Sequence, residues 1–296
     1  MKSLISFLNR GPWGDPHWPG NCSGHVVREL IEFTRPTLMV DVCEGSGTSG
    51  DVCREMGVEY VGLDLHRGFD FTSDYVLSRL SRPADLVFSH PPYEAMIDYR
   101  NVGTWSDPDH KYRDLSGCTE EGFVEKSHLM LINQREATRP GGHYASLIGD
   151  LRKNGRFRSF QADYISMMPR DELMGVVIKA QHNCTSDARS YAGKFIPIVH
   201  EYLLVWQRKA ALLVQVAIEK AIETKTRGEL VWKNLLYTVL MRLGGKAALT
   251  EIYREVEREA SEYLATKAHW MEKVRQQLQK HFTNIERGTW ALPAAA

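Results

Sequence analysis

Three glycines and one aspartate have the types and the spacing of a nucleoside-binding site. Gly45, Gly47 and Gly50 form the pattern Gly-x-Gly-x-x-Gly, directly after an apolar run and at the start of a helical segment. Asp64 follows Gly45 by 19 residues, at the end of a second apolar run. A carboxylate at such a strand end accepts hydrogen bonds from ribose hydroxyls. The pattern predicts an adenosine-containing ligand; a plain glycine turn beside an acidic strand end is the alternative.

Two acidic residues beside the glycines bear on which adenosine compound binds. A dinucleotide such as NAD would place its pyrophosphate at the N-terminus of the helix after the turn. Glu44 precedes the glycines and Asp51 begins the helix, so both would repel a diphosphate. A sulfonium with an amino-acid tail would meet no such repulsion. We therefore expect S-adenosylmethionine as the cofactor, and an NAD-linked oxidoreductase is the weaker interpretation.

A proline-rich tetrapeptide, His90-Pro91-Pro92-Tyr93, follows a third apolar run that ends at Ser89. Proline has no N–H group and a fixed φ, so two consecutive prolines set the direction of the backbone carbonyls. The sequence therefore predicts a rigid, acceptor-rich turn with an aromatic ring beside it. A rigid loop without chemistry is the alternative.

This tetrapeptide resembles motif IV of the DNA amino-methyltransferases, which is Asp/Asn/Ser-Pro-Pro followed by an aromatic residue. Those enzymes methylate N6 of adenine or N4 of cytosine. Asp41-Val-Cys-Glu-Gly-Ser-Gly-Thr48 resembles the family's cofactor motif, and Trp18-Pro-Gly-Asn-Cys-Ser-Gly24 resembles an additional one. Segments 147–153, 178–183 and 200–208 are similar to downstream strands of a branch that carries His-Pro-Pro-Tyr. The resemblance covers about residues 17–208.

The resemblance implies a role for each matching residue. S-adenosylmethionine would be bound by Asn21, Ser23, Asp41, Gly45, Ser46, Gly47, Thr48, Asp64, Asp70 and Ser89. Catalysis would fall to His90, Pro91, Pro92 and Tyr93. No residue is expected to bind a metal.

The chemistry of the target explains why such residues are needed. An exocyclic amine is a poor nucleophile because its lone pair is delocalised into the base. Two acceptors aimed at its N–H groups, the Pro91 carbonyl and the His90 side chain, would draw the nitrogen towards tetrahedral geometry. Tyr93 would stack on a base that has been flipped out of the duplex. The methyl group already sits on a sulfonium, so positioning carries most of the catalysis.

His90 stands where the family has aspartate, asparagine or serine. A neutral imidazole can accept a hydrogen bond with one ring nitrogen, whereas a protonated one cannot accept at all. The target base therefore stays open, with adenine N6 favoured over cytosine N4. A third hypothesis is a non-catalytic DNA-binding regulator that has kept a nucleoside pocket.

Alternating strands and helices position these residues. The predicted strands are Thr37–Cys43, Tyr60–Leu65, Asp85–Ser89, Tyr144–Ile148, Gly175–Lys179 and Glu201–Trp206. The predicted helices are Gly24–Phe33, Asp51–Met56, Tyr75–Leu80 and Phe123–Arg139. Residues before 17 are expected to form an irregular arm, and 94–122 a long irregular loop. The pattern indicates a doubly wound, Rossmann-like α/β sheet in a methyltransferase domain of residues 1–209.

The composition changes after Arg208. Residues 210–227 predict an amphipathic connecting helix, which is also a candidate dimer interface. Residues 228–296 predict three helices and a hairpin that turns at 286–288, the pattern of a small α+β winged helix-turn-helix domain. Double-stranded DNA would be its partner. The cations expected on the phosphates are Lys267, Lys273, Arg275 and Arg287. This segment has ten Lys and Arg against eight Asp and Glu, so a protein–protein or dimerisation domain is the alternative.

Overall composition excludes several classes of protein. The 37 basic and 37 acidic residues balance, so the chain is not polycationic throughout and DNA must meet a local basic face. Five cysteines without a Cys-x-x-Cys pair argue against a disulfide scaffold and a zinc ribbon. No apolar run reaches the roughly 18 residues that span a bilayer. We expect a cytoplasmic protein of a bacterium, an archaeon or a phage-infected cell, with a restriction-modification system as one setting.

Overall fold

The computed structural model describes residues 1–182, 196–209, 228–264 and 269–293. The connecting helix predicted over 210–227, Cys184 and Lys267 lie outside the described residues.

A seven-stranded sheet lies at the centre of the first 209 residues. The elements of this part in chain order are β1 (Leu4–Ser6), α1 (Gly24–Thr34), β2 (Leu38–Asp41), α2 (Thr48–Met56), β3 (Glu59–Gly62), β4 (Ala84–Ser89), α3 (Glu120–Ala137), β5 (Thr138–Ile148), β6 (Leu151–Lys153), β7 (Arg156–Arg158), α4 (Phe160–Met167), β8 (Leu173–Ala180) and β9 (His200–Gln207). The strand order is β1-β8-β9-β5-β4-β2-β3, and β6 pairs with β7 as a separate hairpin.

The sheet is mostly parallel, as the sequence predicts. Strand β2 pairs in parallel with β3 on one side and with β4 on the other, and β4 pairs in parallel with β5. Strand β9 is antiparallel to both β5 and β8. Helices cover both faces, so central strands are apolar throughout: Leu86, Val87 and Phe88 of β4 are all 0–1% exposed. The predicted doubly wound α/β class is confirmed.

Two apolar cores lie on opposite faces of this sheet. Val40 and Val87 belong to the core on one face, together with Phe123 of α3. Met39 and Leu86, their neighbours along the strands, belong to the core on the other face under α1 and α2. This alternation follows from the two-residue period of a strand.

Three local predictions differ from the structure. The N-terminal arm is not wholly irregular, because Leu4–Ser6 extends the sheet as a parallel partner of β8. The helix predicted over 75–80 is a single 3-10 turn, Val76–Arg79. Helix α3 ends at Ala137, two residues earlier than predicted, since Pro140 and the two glycines after it belong to the long strand β5.

The described C-terminal residues form three helices and a small sheet. They are α5 (Gly228–Arg242), β10 (Lys246–Ala248), α6 (Leu249–Leu264), α7 (Trp270–His281), β11 (Thr283–Glu286) and β12 (Thr289–Ala291). The sheet order is β10-β12-β11, with antiparallel pairing throughout. The predicted hairpin turns at 287–288. Strand β10 adds a third strand that was not predicted from the sequence.

Helix α3 joins the two parts of the chain. Its Ile132 is 7% exposed and belongs to the apolar cluster of α5, α6 and α7. Its buried Glu136 forms an ion pair with Arg242, whose Nε also donates to the Tyr75 hydroxyl at 3.3 Å. Glu125 pairs with Lys233 of α5. The C-terminal part therefore completes the packing and the charge pairing of α3.

Within the described ranges, no helix has the length and apolarity that crossing a bilayer would require. The same residues contain no group of three or more His, Cys, Asp or Glu side chains arranged to hold a metal ion.

Candidate active site

The carboxyl ends of β2 and β4 lie side by side and bring the two sequence motifs together. Asp41 at the end of β2 pairs with Phe88 of β4, just before Ser89 and His90. The chain leaves β2 towards β3 on one side and reaches β4 on the other, so this is the switch point of the sheet. Ligands of open α/β sheets bind in the crevice at such a point.

A first cleft opens beside the glycine turn, with a volume of about 890 Å³ including its mouth. The predicted site residues that line it are Asn21, Asp41, Gly45, Ser46, Thr48, Asp64, Asp70, His90 and Pro92. Most of the residues predicted to bind the cofactor therefore line this cleft.

Asp64 fixes the shape of the glycine turn. Its Oδ2 accepts from the backbone N–H of Gly45 at 2.8 Å, and its Oδ1 accepts from the backbone N–H of His66 at 2.8 Å. Gly45 and Gly47 have φ of +52° and +85°, a region that favours glycine. Burial would raise the pKa of Asp64, but the bonds from His66 and Gly45 outweigh it and lower the pKa. Asp64 is therefore an ionised acceptor at the cleft wall.

Asp41 lies at the base of the first cleft and is 3% exposed. Its Oδ2 accepts from the Ser49 hydroxyl at 2.5 Å, and its Oδ1 from the backbone N–H of Cys43 at 2.9 Å. Burial raises the pKa of Asp41 to about 7, because these two neutral donors only partly offset the loss of hydration. A cationic ligand group would restore the charged form.

Asp70 offers an acceptor atom that the described part of the protein leaves without a hydrogen bond. Its Oδ1 accepts from the backbone and the hydroxyl of Thr72, at 2.9 and 2.5 Å. Its Oδ2 is buried without a hydrogen-bond partner among the described residues, and Arg113 lies 3.5 Å away. This oxygen belongs to a residue that lines the first cleft, where a ligand amine can donate to it.

Three predicted cofactor residues do not line this cleft. Gly47 begins α2 and contributes its backbone conformation. Ser23 precedes α1, and its hydroxyl donates to the carbonyl of Arg10 at 3.4 Å. Ser89 is fully buried and shares a hydrogen bond with the Ser146 hydroxyl at 2.8 Å. These residues hold the elements around the cleft. Asp51 also points elsewhere, towards Gly14 and Arg54.

A second cleft lies on the other side of the tetrapeptide. All four residues of 90–93 line it, and His90 and Pro92 also line the first cleft. The rest of its wall comes from Gly20 and Asn21, from residues 96–99, from the segment after β5, from Gln181 at the end of β8, and from the described residues before β9 and the start of β9. These include Gly149, Asp150, Arg152, Pro197, His200 and Glu201.

Four polar side chains form a connected group in this wall. Nε2 of His90 lies 2.7 Å from the Tyr93 hydroxyl, which donates to Oε1 of Glu201 at 2.8 Å. Nζ of Lys179 donates to Oε2 of Glu201 at 2.6 Å. Burial would raise the pKa of Glu201, but the imidazole of His90 and the charge of Lys179 outweigh it and hold the pKa well below its ordinary value. Burial and the charge of Glu201 raise the pKa of Tyr93.

Sequence reasoning missed Glu201 and Lys179 as site residues. Both belong to strands that are otherwise largely apolar, and they face each other across the β8–β9 pair. The sequence feature that could have identified them is the presence of a lysine and a glutamate inside strands that were predicted to be buried. The aromatic cover of the first cleft was also missed: there, His66 stacks on Trp105 at 3.8 Å and meets Trp18 edge-on at 5.2 Å.

The long segment 94–122 is irregular, as predicted, and consists largely of four 3-10 turns before α3 begins. Tyr99, Trp105, Arg113 and Asp114 from this segment line the first cleft. The hydroxyl of Tyr99 donates to the carbonyl of Pro19 at 3.0 Å. The segment therefore covers the first cleft.

The predicted DNA-binding cations are far in the sequence from the residues that line the two clefts. Arg275 of α7 is exposed and lies 3.8 Å from Glu272, and Arg287 is exposed at the hairpin turn. Lys273 is half-buried and donates to Gln276 at 3.1 Å. Gln277 of α7 is fully buried.

No protein-family model matches this sequence, and no curated protein matches it. A solved structure from Thermus thermophilus that carries the provisional name DNA modification methylase matches with 19% identity and a TM-score of 0.27, over 58% of this chain and 52% of that chain. Its complex with S-adenosyl-L-methionine matches with 15% identity and a TM-score of 0.31, over 57% and 72%. A SAM-dependent methyltransferase from Archaeoglobus fulgidus matches with 11% identity and a TM-score of 0.37, over 63% and 95%. This chain thus spans about half the length of the first of these proteins, and TM-scores this low assign no function.

Proposed function

We propose that this chain is an S-adenosylmethionine-dependent methyltransferase. It transfers a methyl group to the exocyclic amine of a base flipped out of double-stranded DNA, with adenine N6 favoured. The observation that carries the proposal is the place of His90-Pro91-Pro92-Tyr93 between the two clefts, with His90 and Pro92 in the walls of both. A group that is transferred between ligands in the two clefts would pass beside this tetrapeptide.

The charge of the first cleft fits a cationic cofactor. Five carboxylates line it, and Arg113 is the single arginine or lysine among the lining residues. Such a cleft repels the pyrophosphate of NAD and attracts a sulfonium and an ammonium group. The carboxylates are Asp41, Glu44, Asp64, Asp70 and Asp114. When bound, the cofactor supplies an activated methyl group on its sulfonium.

Individual atoms of the first cleft match the parts of an adenosine. Oδ2 of Asp64 accepts one bond from Gly45 and keeps a lone pair for a ribose hydroxyl. Oδ2 of Asp70 lacks a hydrogen-bond partner among the described residues, as an acceptor for an adenine amine requires. Asp41 and Asn21, near the glycine turn, suit the amino-acid tail.

The second cleft suits the target base. The Pro91 carbonyl and the His90 ring are the two acceptors that can orient its exocyclic amine. Tyr93 lines this cleft, is 8% exposed, and packs its ring against Gly149, where a Cβ would lie 2.8 Å from Cε2. A base that stacks on Tyr93 would therefore meet a ring whose position is fixed by its contact with Gly149.

Basic groups near the second cleft and in the C-terminal part would hold the duplex. The hairpin β6–β7 carries four cations, and Arg152 of that hairpin lines the second cleft. We propose that the C-terminal part acts as a winged helix whose α7 and hairpin turn contact phosphates. A homodimer stays a proposal that rests only on the sequence of 210–227.

Nucleoside analysis of duplex DNA incubated with the protein and S-adenosylmethionine tests the function. We expect N6-methyldeoxyadenosine, and sequencing of methylated DNA at base resolution then gives the site. N4-methyldeoxycytidine would move the target to cytosine. DNA binding without any methylated nucleoside would favour the regulator hypothesis. A Pro91→Ala variant assayed beside the wild type controls for a contaminating methyltransferase.

A further inference from the structure

The group formed by His90, Tyr93, Glu201 and Lys179 defines which nitrogen of His90 carries a proton. Glu201 is 6% exposed and ionised, so both its oxygens can only accept. Lys179 donates to Oε2, and the single hydroxyl proton of Tyr93 is directed at Oε1. The Tyr93 oxygen can therefore only accept from His90, at 2.7 Å. Nε2 of His90 must carry a proton in both charge states of the ring.

The other ring nitrogen of His90, Nδ1, then carries the free lone pair of the neutral ring. Nδ1 has no hydrogen-bond partner among the described residues, and the side chain of His90 is 14% exposed. His90 lines both clefts, so its ring lies where the two ligands would meet. A protonated His90 would lie 3.7 Å from Oε1 of Glu201, which stabilises a positive ring.

We propose that Glu201, acting through the Tyr93 hydroxyl, holds neutral His90 in its Nε2–H form, so that Nδ1 is the base for the target amine. This inference rests on the proposed function. His90 is the catalytic residue, and Glu201 and Tyr93 are positioning residues for it. Lys179 keeps Glu201 ionised.

Methyl transfer to the amine then needs no further reactant. The amine nitrogen forms a bond to the methyl carbon, the carbon–sulfur bond breaks, and its electron pair stays on sulfur. The nitrogen would then carry a positive charge, and one of its protons passes to Nδ1 of His90. The imidazolium that forms is paired with Glu201 and later releases the proton to water. A histidine thereby does the work of the oxygen acceptors that this position usually offers.

Other ionisable groups face this region and share its pH dependence. From the first cleft they are Asp41, Glu44, Asp64, His66, Asp70, Arg113 and Asp114. From the second cleft they are Asp150, Arg152 and His200. Cys22 and Cys43 also line the first cleft, and burial raises the pKa of both thiols. Activity alone therefore cannot identify His90, and a nitrogen-specific measurement is needed.

The test is long-range ¹H–¹⁵N NMR of the full chain with ¹⁵N-labelled histidine, assigned with His90→Gln. We expect neutral His90 to be protonated at Nε2 and unprotonated at Nδ1. Tyr93→Phe keeps the ring and removes only the hydroxyl, so the neutral forms should mix. Tyr202→Phe is the matched control, because Tyr202 forms a similar pair with His200 at 2.8 Å. It should leave the His90 signals unchanged.

Single-turnover methyl transfer at several pH values completes the test. Loss of a buried hydrogen bond to a charged group predicts a fall of about tenfold or more for Tyr93→Phe. In Glu201→Gln the preference of neutral His90 for the Nε2–H form should weaken in the same spectra, and the transfer rate should fall in parallel. The double variant Glu201→Gln, Lys179→Met should give the same result as Glu201→Gln. It is included because it leaves no unpaired lysine beside position 201.

The outcomes separate the two proposals. Nδ1–H as the main neutral form in the wild type, or identical His90 signals in wild type and Tyr93→Phe, would overturn the relay even if methyl transfer is intact. The expected NMR result in a protein that methylates no DNA would overturn the proposed function and, with it, the proton-accepting role of Nδ1.

Discussion

Asp41 of the first cleft and Glu201 of the second are both buried carboxylates, and their pKa shifts are opposite. Asp41 in the first cleft is 3% exposed and Glu201 in the second is 6% exposed. Asp41 is bonded to a hydroxyl and an amide, both neutral, and burial raises its pKa to about 7. Glu201 has Lys179 and His90 beside it, and its pKa is lowered despite burial. Similar burial thus has opposite results because only one carboxylate has a cationic partner within the protein.

This difference matches what each cleft would receive. The first cleft carries unbalanced negative charge, so a cationic cofactor supplies the missing partner. The second cleft is neutralised internally and suits an uncharged base. The comparison predicts that changes in the first cleft alter cofactor affinity, whereas changes confined to the second alter transfer.

The largest expected effect comes from residues that line only the second cleft. Pro91→Ala alters an acceptor carbonyl, and Tyr93→Leu removes the link to Glu201 while keeping apolar volume. We expect single-turnover transfer to fall by about 10²- to 10⁴-fold, the range for lost acid–base and positioning groups. Calorimetry should show unchanged cofactor affinity.

Melting temperatures serve as the control for Tyr93→Leu, because Tyr93 belongs to the buried core. A comparable loss of cofactor affinity in the folded Pro91→Ala variant would contradict the separation of the two clefts.

The two carboxylates should give opposite slopes of stability against pH. The folded pKa of Asp41 lies above its unfolded value of 3.8, so the unfolded chain loses its proton first. The unfolding free energy should therefore fall as pH rises from about 4 to 7, by at most about 4 kcal/mol. Glu201 has the reverse shift, and its stabilisation is lost as pH falls below its unfolded value of 4.5.

Urea unfolding of wild type and Asp41→Asn is measured between pH 5 and pH 7.5 without cofactor. The slope of unfolding free energy against pH that Asp41 causes is the difference between the slopes of the two proteins. Asn can still accept from Cys43 and donate to Ser49, so packing is kept. Parallel curves for the two proteins would show that Asp41 is ionised throughout. In Glu201→Gln, the change in unfolding free energy between pH 5 and pH 7.5 should be almost the same as in the wild type.

In the first cleft, Asp64→Ala should weaken cofactor binding by about 1–3 kcal/mol, because charge-assisted bonds to the ribose are lost and the Gly45 turn is loosened. Calorimetric titration with S-adenosylmethionine and with its demethylated product measures the loss. Asp51→Ala is the matched control, since Asp51 also flanks the glycine turn but does not line the cleft. Equal losses in both variants would mean a general effect on the turn.

The first cleft could be predicted from the sequence far better than the second. Residues 41–48 and Asp64 belong to segments that follow one another along the chain. Their residue types and spacing are therefore enough to predict that they lie together. The second cleft joins 90–93 to Glu201, which lies 108 residues away from Tyr93, and no spacing rule links them. The pair of Lys179 and Glu201 is an example, because a contact between neighbouring strands can be predicted only when the strand order is known.

The smallest expected effect tests whether the C-terminal part binds DNA at all. Lys273, Arg275 and Arg287 would release counterions from phosphates, so their replacement by alanine should reduce the slope of log affinity against log salt by roughly 0.9 for each phosphate that is no longer neutralised. Cofactor affinity should not change, since none of the three lines either cleft. Alanine at Arg28, Arg54 and Arg82, whose side chains are 42%, 78% and 41% exposed, removes the same charge from the other part of the chain. Fluorescence anisotropy with a labelled duplex at several salt concentrations gives both slopes. If the two triple variants show the same reduction in slope, the effect is one of net charge. If only the control variant loses affinity, the duplex lies on the α/β domain, and α7 with its hairpin is a surface for another protein.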